Sequence, residues 1–185
     1  MEWLIAGLAL FLGVHVFSSL RSARGRAIAT LGEGAYKGLY SLLSLAGFGL
    51  IIAGMGKAPS IELWSPPGWG RYAAVWFMPF ALILLAGAFI PGNLKRLTAH
   101  PMLWAITLWA LVHLLANGDV AGLLLFGGFG LYAIYAMRSQ TLRGARPAQT
   151  RRAVGGDIGA IVAGLIAYAL LLRFHASLFG VAVWY

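Results

Sequence analysis

Apolar residues along this chain gather into six runs, separated by polar or glycine- and proline-rich breaks. The runs cover approximately residues 3–20, 38–55, 72–90, 101–116, 120–137 and 158–172. A helix crossing a hydrocarbon core of ~30 Å needs about 20 residues. Each run therefore predicts a transmembrane helix, with the short fourth and sixth borrowing polar neighbours such as His100 and Arg173. Pro79 predicts a kink in the third, since its ring frees a carbonyl. The breaks carry turn chemistry: Ser65-Pro66-Pro67-Gly68 after the second run and Pro91-Gly92-Asn93 after the third. Asn117-Gly118 is a tight turn, and Asp119 or Asn117 is placed to cap the fifth helix. Small residues recur every fourth position at Gly156, Ala160 and Gly164, and at Gly34 and Gly38. Such stripes let helix backbones approach closely in lipid. They predict packing within the bundle, with a homodimer as their other use.

Composition agrees with the pattern. Hydrophobic residues make up 61% of the 185 and charged residues 10%, against roughly 45–50% and 25% in soluble domains. The chain reads as an all-α, polytopic membrane helix bundle of about six transmembrane helices, one transmembrane domain over 1–185, with the lipid bilayer as its medium. The first run carries Glu2 in place of a basic flank and lacks a cleavage pattern, which argues against a signal peptide. There is no cysteine, so no disulfide or thiolate ligand enters.

The net charge is +9, and its distribution points away from nucleic acid. Arg21, Arg24, Arg26 and Lys37 lie between the first two runs. Lys95 and Arg96 follow the third, and Arg138, Arg143, Arg146, Arg151 and Arg152 follow the fifth. If six helices alternate, these eleven of fourteen basic residues share one side. The positive-inside rule makes that side cytoplasmic and both termini periplasmic, in a bacterial inner membrane.

The candidate chemistry rests on four histidines. An ionisable side chain at membrane depth costs a few kcal/mol or more and marks a functional site by default, and a neutral imidazole tolerates burial as a metal ligand. His15 lies near the inner end of the first helix, His100 at the start of the fourth and His113 toward its outer end. His175 follows the last run beside Arg173 and reads as interfacial. His100 and His113 stand about 140° and ~20 Å apart on one helix, so they cannot share a metal. A two-histidine site must join different helices, and His15 with His113 is the pair within the span, at heights that differ by ~10 Å. Bis-histidine haem, a hydrogen-bonded network and other catalysis all fit this spacing. His100, Asn117 and Asp119 form a possible second-shell or surface site. No HExxH or HxxxH spacing supports zinc or non-haem iron. Glu33 and Lys37, four residues apart, read as a surface helix pair.

Several strings together resemble one family. They are Val14-His15 after LALFLG, then LGEGAYKGLYSLLSLAGFGLII, ELWSPP, and HPMLWAITLWALVHLLANGD followed by LLLFGGFG. They resemble the NnrU family of bacterial inner-membrane proteins, associated with nitrite and nitric oxide reduction. The likeness covers nearly the whole chain, strongly to Met137 and more weakly beyond. It extends to plant and cyanobacterial 15-cis-zeta-carotene isomerase, a haem b membrane enzyme. The resemblance implies haem b held by His15 and His113. Ala110 stands where a cysteine serves as an alternative ligand in the isomerase, so thiolate exchange is not available here. The implied function is linked to nitrogen-oxide respiration. It is either isomerase-like catalysis on a lipophilic small molecule, carotenoid-like or quinone-like, or a non-enzymatic role. That role would be nitric oxide or haem sensing, or assembly of a membrane reductase complex.

Overall fold

Backbone N–H and C=O groups meet no water inside a bilayer, so a span must satisfy them within itself, as a helix does. The structure, a computed structural model, describes residues 1–183. Among these, secondary structure is helical apart from turns and an isolated antiparallel bridge between Glu62 and Asp119. Helix α1 spans Glu2–Ser19, α2 Arg21–Leu31 and α3 Glu33–Lys57. Then follow α4 over Gly70–Phe89, the short α5 over Leu94–Leu97 and α6 over Pro101–Ala116. The last two are α7 over Val120–Leu142 and α8 over Gly155–Phe179. Five of them (α1, α3, α4, α7 and α8) are long and apolar enough to cross a membrane, and α6 is apolar over 16 residues. The chain is a multi-pass membrane protein.

Three local features depart from the hydropathy pattern. The basic stretch after the first run is not a loop but α2, in which no residue is buried. Its alanines and arginines favour helix on their own, and Gly32, at φ +80°, turns the chain into α3. Helix α8 continues past Leu172 to Phe179 and ends on Gly180 in the left-handed conformation, a common helix stop. Inside α7, residues Leu123–Gly127 form a π turn. Pro79 sits within α4 without ending it.

The helices line up by contact in the order α3, α1, α7, α6, α4, α8. The α1–α3 contact is backbone on backbone. A Cβ added at Gly54 would lie 2.4 Å from the Leu4 nitrogen, and one at Gly47 would lie 2.8 Å from that of Phe11. The contact expected at Gly34 and Gly38 does not form, since nothing lies within 4 Å of a Cβ at either. The α8 stripe does pack: Ala160 is buried, and a Cβ at Gly164 would lie 2.7 Å from the Ile83 backbone in α4. Two small cores result, Leu4, Leu8, Ile51 and Ala121 at one place and Leu103, Ala133 and Ala136 at another. Large apolar side chains such as Trp76, Phe89 and Leu131 face outward, as lipid permits.

The three basic segments meet at one end of the bundle. The Arg143 guanidinium reaches the Ser19 carbonyl at 3.4 Å, and the Ala148 N–H donates to the Lys95 carbonyl at 2.8 Å. Asn93 and Asp157 clamp the same end. The Asn93 backbone N–H and side-chain amide each donate to the Asp157 carboxylate at 2.6 Å, and the amide also donates to the Arg152 carbonyl at 2.9 Å.

Candidate functional site

The turn between α6 and α7 builds the opposite end. Asn117 donates both its backbone N–H, at 2.9 Å, and its side-chain amide, at 2.8 Å, to the His113 carbonyl. Asp119 caps α7 as its sequence position predicts, Oδ1 accepting the Gly122 N–H at 2.8 Å. The segment between α3 and α4 closes over this turn. Val120 N–H donates to the Ile61 carbonyl at 2.9 Å, and Leu63 and Trp64 donate to the Gly118 carbonyl at 2.8 and 3.1 Å. Gly118 is required there, because a Cβ would lie 1.8 Å from the Trp64 carbonyl oxygen.

His15 and His113 share one local geometry. Nδ1 of His15 bonds the Phe11 carbonyl at 2.7 Å, and Nδ1 of His113 bonds the Trp109 carbonyl at 2.8 Å. A carbonyl only accepts, so Nδ1 carries the proton in each neutral ring and Nε2 keeps its lone pair. Among the described residues Nε2 of neither ring makes a hydrogen bond. That is the orientation in which imidazoles ligate metals.

The structure does not bring these two rings together. His15 packs on Phe11 (ring centroids 4.3 Å apart), Tyr40 (5.3 Å) and Tyr132 (5.9 Å), among α1, α3 and α7. His113 packs on Phe126 (4.8 Å) and Trp109 (5.4 Å), between α6 and α7. Phe129 touches both Phe11 (5.4 Å) and Trp109 (5.7 Å), so aromatic rings run continuously from one histidine to the other. Their α7 neighbours, Phe126 and Tyr132, are six residues apart, a rise of ~9 Å. The height difference expected from spacing persists in the fold.

His113 instead shares a cavity with His175. The cavity has a volume of about 310 Å³ and apolar walls from α4, α6 and α8, including Met78, Trp109 and Leu171. Tyr168 lines it too and donates its hydroxyl to the Val75 carbonyl at 3.0 Å, tying α8 to α4. Tyr168 was not singled out by sequence reasoning, since it stands within an apolar run with no motif around it. A second cavity of about 420 Å³, lined by Arg71, Tyr72 and Pro67, shares Val75 and Val183 with the first. The family model described as NnrU protein matches residues 3–183. The chain belongs to the NnrU family. No curated protein and no solved structure matches it.

In this NnrU protein the remaining candidate is His100, which is buried at the far end of α6, only 9% exposed, and not on the surface. Its Nε2 meets the Thr141 hydroxyl at 2.9 Å, pinning α6 to the end of α7, while its Nδ1 has no partner among the described residues. Glu33 and Lys37 pair at 2.8 Å on an exposed helix face, as their spacing predicts. Among the described residues no three His, Asp or Glu side chains cluster as metal ligands. A bare metal ion needs several protein ligands. A haem brings four nitrogens of its own and needs one or two axial side chains. His113, which lines an apolar cavity and whose Nε2 makes no hydrogen bond among the described residues, fits that need. The pair His15 and His113, separated by packed aromatic rings, does not fit one haem in this packing.

Proposed function

We propose that this NnrU-family protein resides in the bacterial inner membrane, serves nitrogen-oxide respiration, and binds one b-type haem beside His113. The observation that carries the reading is the His113 imidazole. Its Nδ1 is committed to the Trp109 carbonyl, its Nε2 makes no hydrogen bond among the described residues, and the residue lines an apolar cavity. The cavity falls within the ~300–1,000 Å³ typical of small-molecule sites. Asn117 holds the His113 carbonyl from the following turn, while Trp109 and Phe126 fix the plane of the ring. When bound, the haem supplies an iron able to take a diatomic ligand or exchange one electron. The protein's part is to orient the imidazole, line the site with apolar walls and tie α8 to α4 beside it through Tyr168.

The family name suggests the link to denitrification. Isomerase-like catalysis on a lipophilic substrate draws support from the same apolar walls, and nitric oxide sensing draws support from the single imidazole. Visible spectra of the purified protein, oxidised and reduced, with and without nitric oxide, test the proposal. A Soret band that shifts with nitric oxide is expected. Organic extraction and mass spectrometry separate the two roles, a bound polyene or quinone favouring the enzyme. Purification without haem after haem-supplemented expression overturns the reading.

A further inference from the structure

The end of the bundle where the three basic segments meet carries cations without matching anions. Its two carboxylates are already engaged. Glu33 pairs with Lys37 at 2.8 Å, and Asp157 accepts from Asn93 and Leu94. Arg21 and Arg26 of α2 are exposed, and among the described residues neither guanidinium makes a hydrogen bond or an ion pair. Uncompensated charge of one sign repels itself, so this surface gains most from an anionic neighbour.

Large apolar side chains stand bare at the same end. Leu20 and Leu31 bracket α2 and are each 48% exposed, Leu97 in α5 is 80% exposed, and Leu142 at the end of α7 is 78% exposed. Each basic segment thus sets a bare leucine next to an arginine, as Leu20-Arg21, Arg96-Leu97 and Leu142-Arg143. Water disfavours the leucines and acyl chains disfavour the guanidinium. The boundary between acyl chains and headgroups suits both. Around α2 the two leucines lie within about 20° of each other, with Arg21 about 80° from Leu31 on one flank and Arg26 about 140° on the other. Arg24 is spent on the protein, its guanidinium 5.9 Å from the centre of the Tyr36 ring in α3. No residue of α2 is buried, so the helix adds nothing to the core.

We infer that α2 is an interfacial helix docked on anionic phospholipids of the leaflet at this end, with Leu20 and Leu31 among the acyl chains and Arg21 and Arg26 on headgroup phosphates. The bare leucines beside the arginines select lipid over a soluble acidic protein as the occupant, because a lipid supplies both an apolar layer and a layer of phosphates. No residue of α2 lines the cavity beside His113, so the inference stands apart from the haem reading.

The chain has no cysteine, so Leu31→Cys and Ala29→Cys each give a single nitroxide site in the full-length protein, on sides of α2 about 160° apart. The protein is reconstituted at low salt into phosphatidylcholine vesicles with or without phosphatidylglycerol, and label depth is read by power saturation against oxygen and a nickel chelate. With phosphatidylglycerol the Leu31 label should lie below the phosphates and the Ala29 label in water. In phosphatidylcholine alone, or at high salt, the Leu31 label should shift toward water. The preference for spin-labelled phosphatidylglycerol should fall about fivefold per arginine in Arg21→Gln/Arg26→Gln, the worth of one cation near an anionic membrane. It should survive in Arg21→Lys/Arg26→Lys, which keeps the charge and controls for misfolding. A Leu31 label in water in both lipids would hand the arginines to a soluble acidic partner and overturn the inference. Equal depth in the two lipids, or an undiminished preference in the glutamine variant, would overturn it as well.

Discussion

A single missing methyl group decides how the α6–α7 turn is closed. Gly118 lies under the Trp64 carbonyl, whereas Gly38 in α3 faces open space. Gly118→Ala should therefore destabilise the protein by about 1–3 kcal/mol, as overpacking does. Gly38→Ala should leave it unchanged or raise stability by up to about 1 kcal/mol through helix propensity. Melting in detergent distinguishes the two; equal melting temperatures would mean the 61–64 segment does not dock on Gly118. Asp119→Ala, which loses the bond to Gly122, should cost about 1 kcal/mol. The cap at Asp119 was legible in the sequence, because an Asx residue beside Gly before an apolar run has few other uses. The place of His175 on the cavity was not. Its neighbour Arg173 and the falling hydropathy after Leu172 place it at the membrane interface, whereas α8 continues for seven more residues and His175 lines the cavity.

At the scale of helices, the apolar runs located the five span-length helices and the 16-residue α6, since hydropathy reports what lipid demands. Helix α2 escaped because its stability comes from alanine and arginine propensity, with no apolar stripe to announce it. The small-residue stripes were legible only in part. Spacing shows that two backbones can approach, but which stripe meets a partner depends on the neighbours. The Gly156–Gly164 stripe finds Pro91 and Ile83, and the Gly34–Gly38 stripe finds nothing. Gly164→Leu should push α8 from α4 and lower the melting temperature, and Asp157→Ala should loosen the opposite end of the same helix by removing the acceptor for Asn93. Limited proteolysis within 143–155 measures both. Unaltered cleavage in Gly164→Leu would mean that α8 is held by other contacts.

For the whole molecule, the meeting of the three basic segments at one end converts the charge pattern into an orientation. That end should be cytoplasmic, with both termini in the periplasm. Alkaline phosphatase fused after Arg146 should be inactive and after Gly180 active; the reverse result would invert the protein in the membrane. The spatial order of helices, α3 to α8 by way of α7 and α4, was not legible from hydropathy, which is blind to neighbours. That order leaves α8 at one edge, packed chiefly on α4, yet α8 supplies Tyr168 and His175 to the cavity. An edge element with a single principal contact opens more readily than the rest. Occupancy of the cavity then acts as a clip, adding RT ln(1 + [L]/Kd) to the free energy of that opening alone. Amide hydrogen exchange of a loaded sample should slow along α8 and stay nearly unchanged in α1 and α3, so the last helix is where the membrane protein registers whether it is full.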